Sequence, residues 1–181
     1  RTDSVAVGGF VIDSVRAGAF RDKRSLRYGV DVCASPEQLE GVAELGVHGN
    51  VVDNQVNVRL REKGDGREEV FNVGANVAFE PEAVSVSISP LPLVLGYMSW
   101  QVNRGNYIRV SKEGMVAADL KLLNGDKRVR LVSRGKDRDR PEALDVDIKG
   151  IDLGRISEAM SFLPEMAGML AVDVHVATAG E

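Results

Sequence analysis

Two histidines, one cysteine and a pair of alternating aspartates are the side chains of this chain that could do chemistry. His48 and His175 lie far apart, each in a strand-like context. His48, just before Gly49-Asn50, reads as a surface residue beside a turn; His175, between Val174 and Val176, reads as outward-facing. Neither has cysteine or carboxylate neighbours at metal-ligand spacing, so no metal site is expected. Cys33 is the only cysteine, which excludes an internal disulfide framework or a cysteine-based metal site in one copy. It reads as a small apolar residue at a strand end. Asp145 and Asp147 flank Val146, which sets both on the polar face of a strand, as a solvated pair rather than a general acid and base.

No Gly-x-Ser-x-Gly elbow, Gly-x-Gly-x-x-Gly turn or Walker-type loop occurs. Nothing in the spacing joins a nucleophile, a base and an orienting group, so the chain is expected not to be an enzyme and to need no cofactor. The run Lys127–Arg140 holds seven positive residues against two aspartates. It could meet acidic head groups, but a solvated strand face leading into a self-neutralising loop explains it more simply. Across all 181 residues the net charge is −4 with both signs mixed, which disfavours nucleic acid as a partner.

The elements that would carry these residues have period two. Phe10, Ile12, then Val15, Ala17 and Ala19 alternate with polar or small residues, as do Leu26, Tyr28, Val30 and Val32. Further alternating runs follow over 45–60, 71–79, 84–88, 116–122, 129–131, 144–148 and 170–176. Arg21–Ser25, Lys63–Gly66, Glu80–Glu82 and Asn124–Asp126 supply turn chemistry between them. Pro90 and Pro92 end a strand because proline cannot donate to a ladder. Only 153–163 breaks the period. Leu153, Ile156, Met160 and Leu163 sit at helical spacing, Asp152 can cap the first turn and Pro164 can stop it.

The pattern predicts an all-β chain: one antiparallel meander of about a dozen strands with one short helix near the C-terminus. Every strand has an apolar face, and one short helix cannot cover them all. The sheet must therefore close into a sandwich or barrel, or curl into a trough whose apolar interior stays available. No apolar run reaches the ~18 residues of a membrane helix. The chain starts without methionine and strand pattern runs nearly to Glu181, so 1–181 is expected to be one β-rich piece of a longer protein.

The stretch Leu95–Ile108 holds the only tryptophan and two of the three tyrosines. Met98-Ser-Trp-Gln-Val-Asn103, Gly105-Asn-Tyr-Ile108 and the paired strands at 115–123 and 127–133 resemble the C-terminal region of TamB-like translocation and assembly module proteins of the Bacteroidetes type. Ile148-Lys-Gly-Ile-Asp-Leu-Gly-Arg-Ile156, Phe162-Leu-Pro-Glu165 and Gly168-Met-Leu170 are similar to that family's strand, short helix and return strand. The resemblance covers 95–178.

This resemblance implies a β-taco with a hydrophobic groove, in a periplasmic protein whose inner-membrane anchor would lie outside the chain. It further implies phospholipid transport to the outer membrane, or protein assembly in it, with an outer-membrane barrel protein as partner. The groove candidates are the apolar alternators Val56, Val58, Leu60, Phe71, Val73, Val84, Val86, Ile88, Val116, Leu120, Leu122, Val129, Leu131, Leu144, Val146 and Ile148. They would hold acyl chains, each buried CH₂ contributing about 0.8 kcal/mol. Trp100 is expected to plug a crossing between the two halves of the sheet, with Asn103 and Asn106 satisfying turn backbone. Two alternatives stand: a scaffold that adds strands to outer-membrane barrel proteins without conducting lipid, or an unrelated β-sandwich binding module.

Overall fold

The computed structural model describes residues 5–7, 10–36, 43–63, 68–90, 92–135, 137, 140–159 and 165–177. Among them the chain forms one antiparallel sheet of fourteen strands and one helix. The N-terminal half comprises β1 (Val5–Val7), β2 (Phe10–Asp22), β3 (Ser25–Pro36), β4 (Ala43–Val52), β5 (Gln55–Lys63), β6 (Glu69–Phe79) and β7 (Ala83–Ile88). Then follow β8 (Leu93–Leu95), β9 (Met98–Val102), β10 (Tyr107–Ser111), β11 (Val116–Asn124), β12 (Lys127–Arg134), β13 (Ala143–Asp152), α1 (Leu153–Ala159) and β14 (Met169–Ala177).

Each strand pairs with the next in sequence, with one instructive variation. β7 and β8 both lie along β6, β7 against its C-terminal part and β8 at Phe71 and Asn72. β10 and β9 share the near edge of β11 in the same way. Structurally, β7 and β8 are one long strand broken around Pro90 and Pro92, and β9 and β10 are one long strand broken at Asn103–Asn106. The two long strands form a hairpin closed by Gly96 and Tyr97, both at positive φ (59° and 62°), as a two-residue type I′ turn requires. The breaks face each other, and what fills them is described below.

The expected meander is therefore present, with the described strands in a single sheet. At the N-terminus the apolar residues change phase between Ile12 and Val15. A bulge between Ile12 and Ser14 absorbs the extra residue, so Val15, Ala17 and Ala19 fall in step with β3. One turn lies elsewhere than expected. Gly49-Asn50 is inside β4, whose turn is Asp53-Asn54, so His48 is a mid-strand residue and does not flank a turn. Of the expected Lys63–Gly66 turn, Lys63 ends β5 and 64–66 lie outside the described residues, as does the connection after Pro36.

The core sits on the apolar face towards the Gly96-Tyr97 end of the sheet. Leu93, Trp100, Leu120, Leu122 and Ile151 are buried there, with Val73, Ile88, Val102, Val129, Ile148 and Leu170 packed around them. The helix closes this end by setting Ile156 on the cluster. Asp152 caps it, accepting from the backbone N–H of Gly154 (3.0 Å) and Arg155 (3.3 Å). The expected helix ran to 163; it is described over Leu153–Ala159, and Met160, Leu163 and Pro164 lie outside the described residues.

Candidate functional site

Register brings the apolar alternators together. Across the N-terminal strands one row runs Leu26, Val51, Val56, Val77, Val86, Ile108, Ala118, each directly opposite the next. Beside it, Ala17, Val30, Val47, Leu60 and Val73 form a second row. In the C-terminal strands Leu120, Leu131, Val146 and Val174 make one row, and Val102, Leu122, Val129, Ile148 and Val172 another. Directly opposed residues share a face. Val58 joins them opposite Ala75, Phe71 opposite Leu95, Val84 opposite Val110, Val116 opposite Val110 and Leu144 opposite Val176. All sixteen sequence candidates thus lie on one face.

Their exposure divides them. Leu120 and Leu122 are buried beneath Trp100, and Val73, Ile88, Val129, Leu131 and Ile148 pack against that core. Away from it the face is open: Leu60 is 39% exposed, Val84 37% and Val110 42%. Val15, Val30, Leu45, Phe79, Val110, Val174 and Val176 belong to the same open surface but are not among the sequence candidates. The alternation that marked the sixteen also marks these, and counting the opposite partners of each strand would have added them.

Trp100 is 6% exposed and stands opposite Leu93. Its indole N–H has no hydrogen-bond partner among the described residues, so the side chain acts through its volume and apolar surface. Asn103 and Asn106 bridge to the neighbouring strands, and Asn106 also ties the Arg104-Gly105 turn. The Asn106 carboxamide accepts from the Ile88 N–H (2.7 Å) and donates to the Ile88 carbonyl (2.9 Å) and the Asn103 carbonyl (3.0 Å). Asn103 does the same for β11, accepting from the Lys121 N–H (2.8 Å) and donating to the Asp119 carbonyl (3.1 Å). Each amide imitates the missing peptide unit of an interrupted strand, because a carboxamide offers the same donor and acceptor pair as the backbone.

The opposite face is polar and ordered by ion pairs. Arg128 reaches Asp147, while Arg134 and His175 both reach Asp145. Within the basic strand, Arg128 and Arg134 are thus paired with the aspartates of β13. The His175 hydrogen bond, followed by Arg134, holds the Asp145 carboxyl below its ordinary value. Glu69 is lowered too, first by a hydrogen bond from Asn72 and then by one from Arg61. Asn72 is fully buried between Glu69 (2.9 Å) and the Nε of Arg59 (2.9 Å). His48 Nε2 lies 2.7 Å from the Asp31 carboxylate Oδ1, with its ring over Gly29, where a Cβ would come within 2.7 Å of Nδ1. Cys33 is half-buried beside this pair.

Concavities of about 690 Å³ and 520 Å³ open on this polar face. Reading the alternation only for its apolar half passes over them. No helix of the described residues is long and apolar enough to cross a membrane. Comparison with protein-family models, with curated proteins and with solved structures gives no match.

Proposed function

We propose that this chain is a segment of a TamB-like periplasmic protein whose apolar sheet face carries phospholipid acyl chains, in support of lipid transport to the outer membrane or protein assembly in it. The supporting observation is the extent of the apolar surface. Opposed rows run from β2 to β14, and away from the Trp100 cluster Leu26, Val30, Leu60, Val84, Val110 and Val174 are more than a third exposed. A soluble domain rarely leaves that much contiguous apolar surface without an occupant. Lipid tails suit it: at about 0.8 kcal/mol per buried CH₂, a long acyl chain gains enough to stay bound while its head group remains in water. The inner-membrane anchor and the outer-membrane barrel partner belong to the same proposal.

Lipid extracted from the purified chain and identified by mass spectrometry tests it. Phospholipid should co-purify, and Val84→Arg with Val110→Arg, two exposed neighbours, should remove most of it without unfolding the sheet. Undiminished lipid in that folded variant would overturn the proposal. A second reading, strand addition to barrel proteins, draws on the outer edge of β14, which has no strand partner among the described residues. It predicts binding of outer-membrane protein peptides by a lipid-free chain.

A further inference from the structure

On the polar face, Asn50, Asn57 and Asn76 stand directly opposite one another on β4, β5 and β6, and Ser87 of β7 continues the row. Adjacent strands are about 4.8 Å apart, so the row is a ladder of carboxamides ending in a hydroxyl. All four residues are half-buried. Their side chains make no hydrogen bond to any described residue. They line the cavity of about 690 Å³, a volume within the range of small-molecule sites.

Charge gives this cavity a sign. Among the described residues Arg59 and Arg104 line it, and no aspartate or glutamate does. Arg59 is held in place by its Nε hydrogen bond to buried Asn72, while its two terminal nitrogens make no hydrogen bond to the described residues. Arg104 lies in the turn between the broken strands, also without a described partner. The neighbouring break needs no ligand, because Asn103 and Asn106 spend their amides on backbone.

From this arrangement we infer that the polar face binds an acidic oligosaccharide. Carboxamides and a hydroxyl can each donate and accept, which matches the hydroxyls of successive sugar units. The guanidinium groups would take the acidic substituent, carboxylate or phosphate, through charge-assisted hydrogen bonds. Among the described residues no phenylalanine, tyrosine or tryptophan lines it, so recognition rests chiefly on hydrogen bonds and charge. The site is on the face opposite the apolar rows. It stands or falls independently of lipid binding, which the lipid content of the same samples reports.

Tetragalacturonic acid titrated into the intact chain, followed by amide NMR and calorimetry, tests the site. The side-chain amide signals of Asn57 and Asn76 should shift. Asn57→Val with Asn76→Val should weaken binding by about tenfold or more, roughly 1.4 kcal/mol per factor of ten, and Arg104→Ala should weaken it several-fold. Neutral cellotetraose should bind at least about tenfold more weakly. A sugar phosphate that displaces tetragalacturonic acid supports the site and points to phosphate as the natural acid. No shift of the two asparagine signals, equal binding of cellotetraose, or saturation of the site by inorganic phosphate alone would each overturn the inference. Because the shift is read on the unaltered chain, a variant that fails to fold does not rescue it.

Discussion

The carboxamide of Asn106 hydrogen-bonds both backbone groups of Ile88, accepting at 2.7 Å and donating at 2.9 Å, so one side chain continues a strand pairing across a gap. Asn103 does the same for β11, and Ser133 repeats the device by both donating to and accepting from the backbone of Ala118 (3.1 Å each). A long sheet that must break two strands keeps its interior peptide groups paired in this way.

Removing the bridge should be costly. Asn106→Ala leaves the Ile88 N–H and carbonyl unpaired in a part-buried place, and is expected to destabilise the chain by about 2–3 kcal/mol in urea unfolding. Asn106→Asp, which keeps the acceptor only, should fall between wild type and alanine. A loss below about 0.5 kcal/mol for Asn106→Ala would mean that water serves Ile88 equally well.

Trp100 acts by filling space beside Leu93. Trp100→Ala should cost about 3–5 kcal/mol, as large aromatic truncations in cores do. Because the indole N–H has no described partner, Trp100→Phe should cost less than half of that. Comparable losses for the two variants would show that the N–H carries energy, against this assignment.

The two halves of the apolar face should answer differently to charge. Leu120→Arg buries a cation in the core cluster and should unfold the chain or cost more than about 4 kcal/mol. Val84→Arg, at an exposed position on the same face, should change the melting midpoint by less than a quarter as much. Equal destabilisation in thermal melts would mean that the face is covered throughout.

Glu69 and Asp145 make stability depend on acid. Both have folded pKa values held below their ordinary values of 4.5 and 3.8, Glu69 mainly by Asn72 and Arg61, Asp145 mainly by His175 and Arg134. A lowered folded pKa means that the stabilisation is complete above the unfolded value and is lost as pH falls through the folded one. Stability should therefore decline below about pH 4.5, and Glu69→Gln should flatten that decline. An unchanged acid slope in Glu69→Gln, followed by urea midpoints from pH 6 to pH 3, would contradict the assignment.

Gly49 tests close packing within β4. A Cβ there would come within 1.9 Å of the Asn57 carbonyl and 2.6 Å of the Tyr28 hydroxyl, which itself donates to that carbonyl (3.2 Å). Gly49→Ala should cost about 2 kcal/mol or more, since backbone has to move. Tyr28→Phe removes only one half-exposed hydrogen bond and should cost about 1 kcal/mol or less. If both fold with wild-type stability, the hairpin between β4 and β5 is looser than its register implies.

Much of the fold was legible in the chain because period two is local. Val56, Val58 and Leu60 mark their faces without reference to any other strand, as do Val84, Val86 and Ile88. The turns at Glu80–Glu82 and Asn124–Asp126 followed from residue chemistry, and Asp152 marked the helix start. Gly49-Asn50 misled because glycine and asparagine suit a turn by themselves. Here they are tolerated mid-strand, because the Tyr28 ring takes the space that a side chain at Gly49 would need.

By itself, then, the sequence determined that the protein is an antiparallel all-β meander with one apolar and one polar side to nearly every strand. Only the tertiary structure decided the rest. It decided that Leu120 and Leu122 are core while Val84 and Val110 are open, that Asn103 and Asn106 mend broken strands, and that Asn50, Asn57 and Asn76 form one row. Each of these is a relation between residues on different strands. Cross-strand neighbours are set by register, and register depends on where every intervening turn and bulge falls; no window along the chain contains that information.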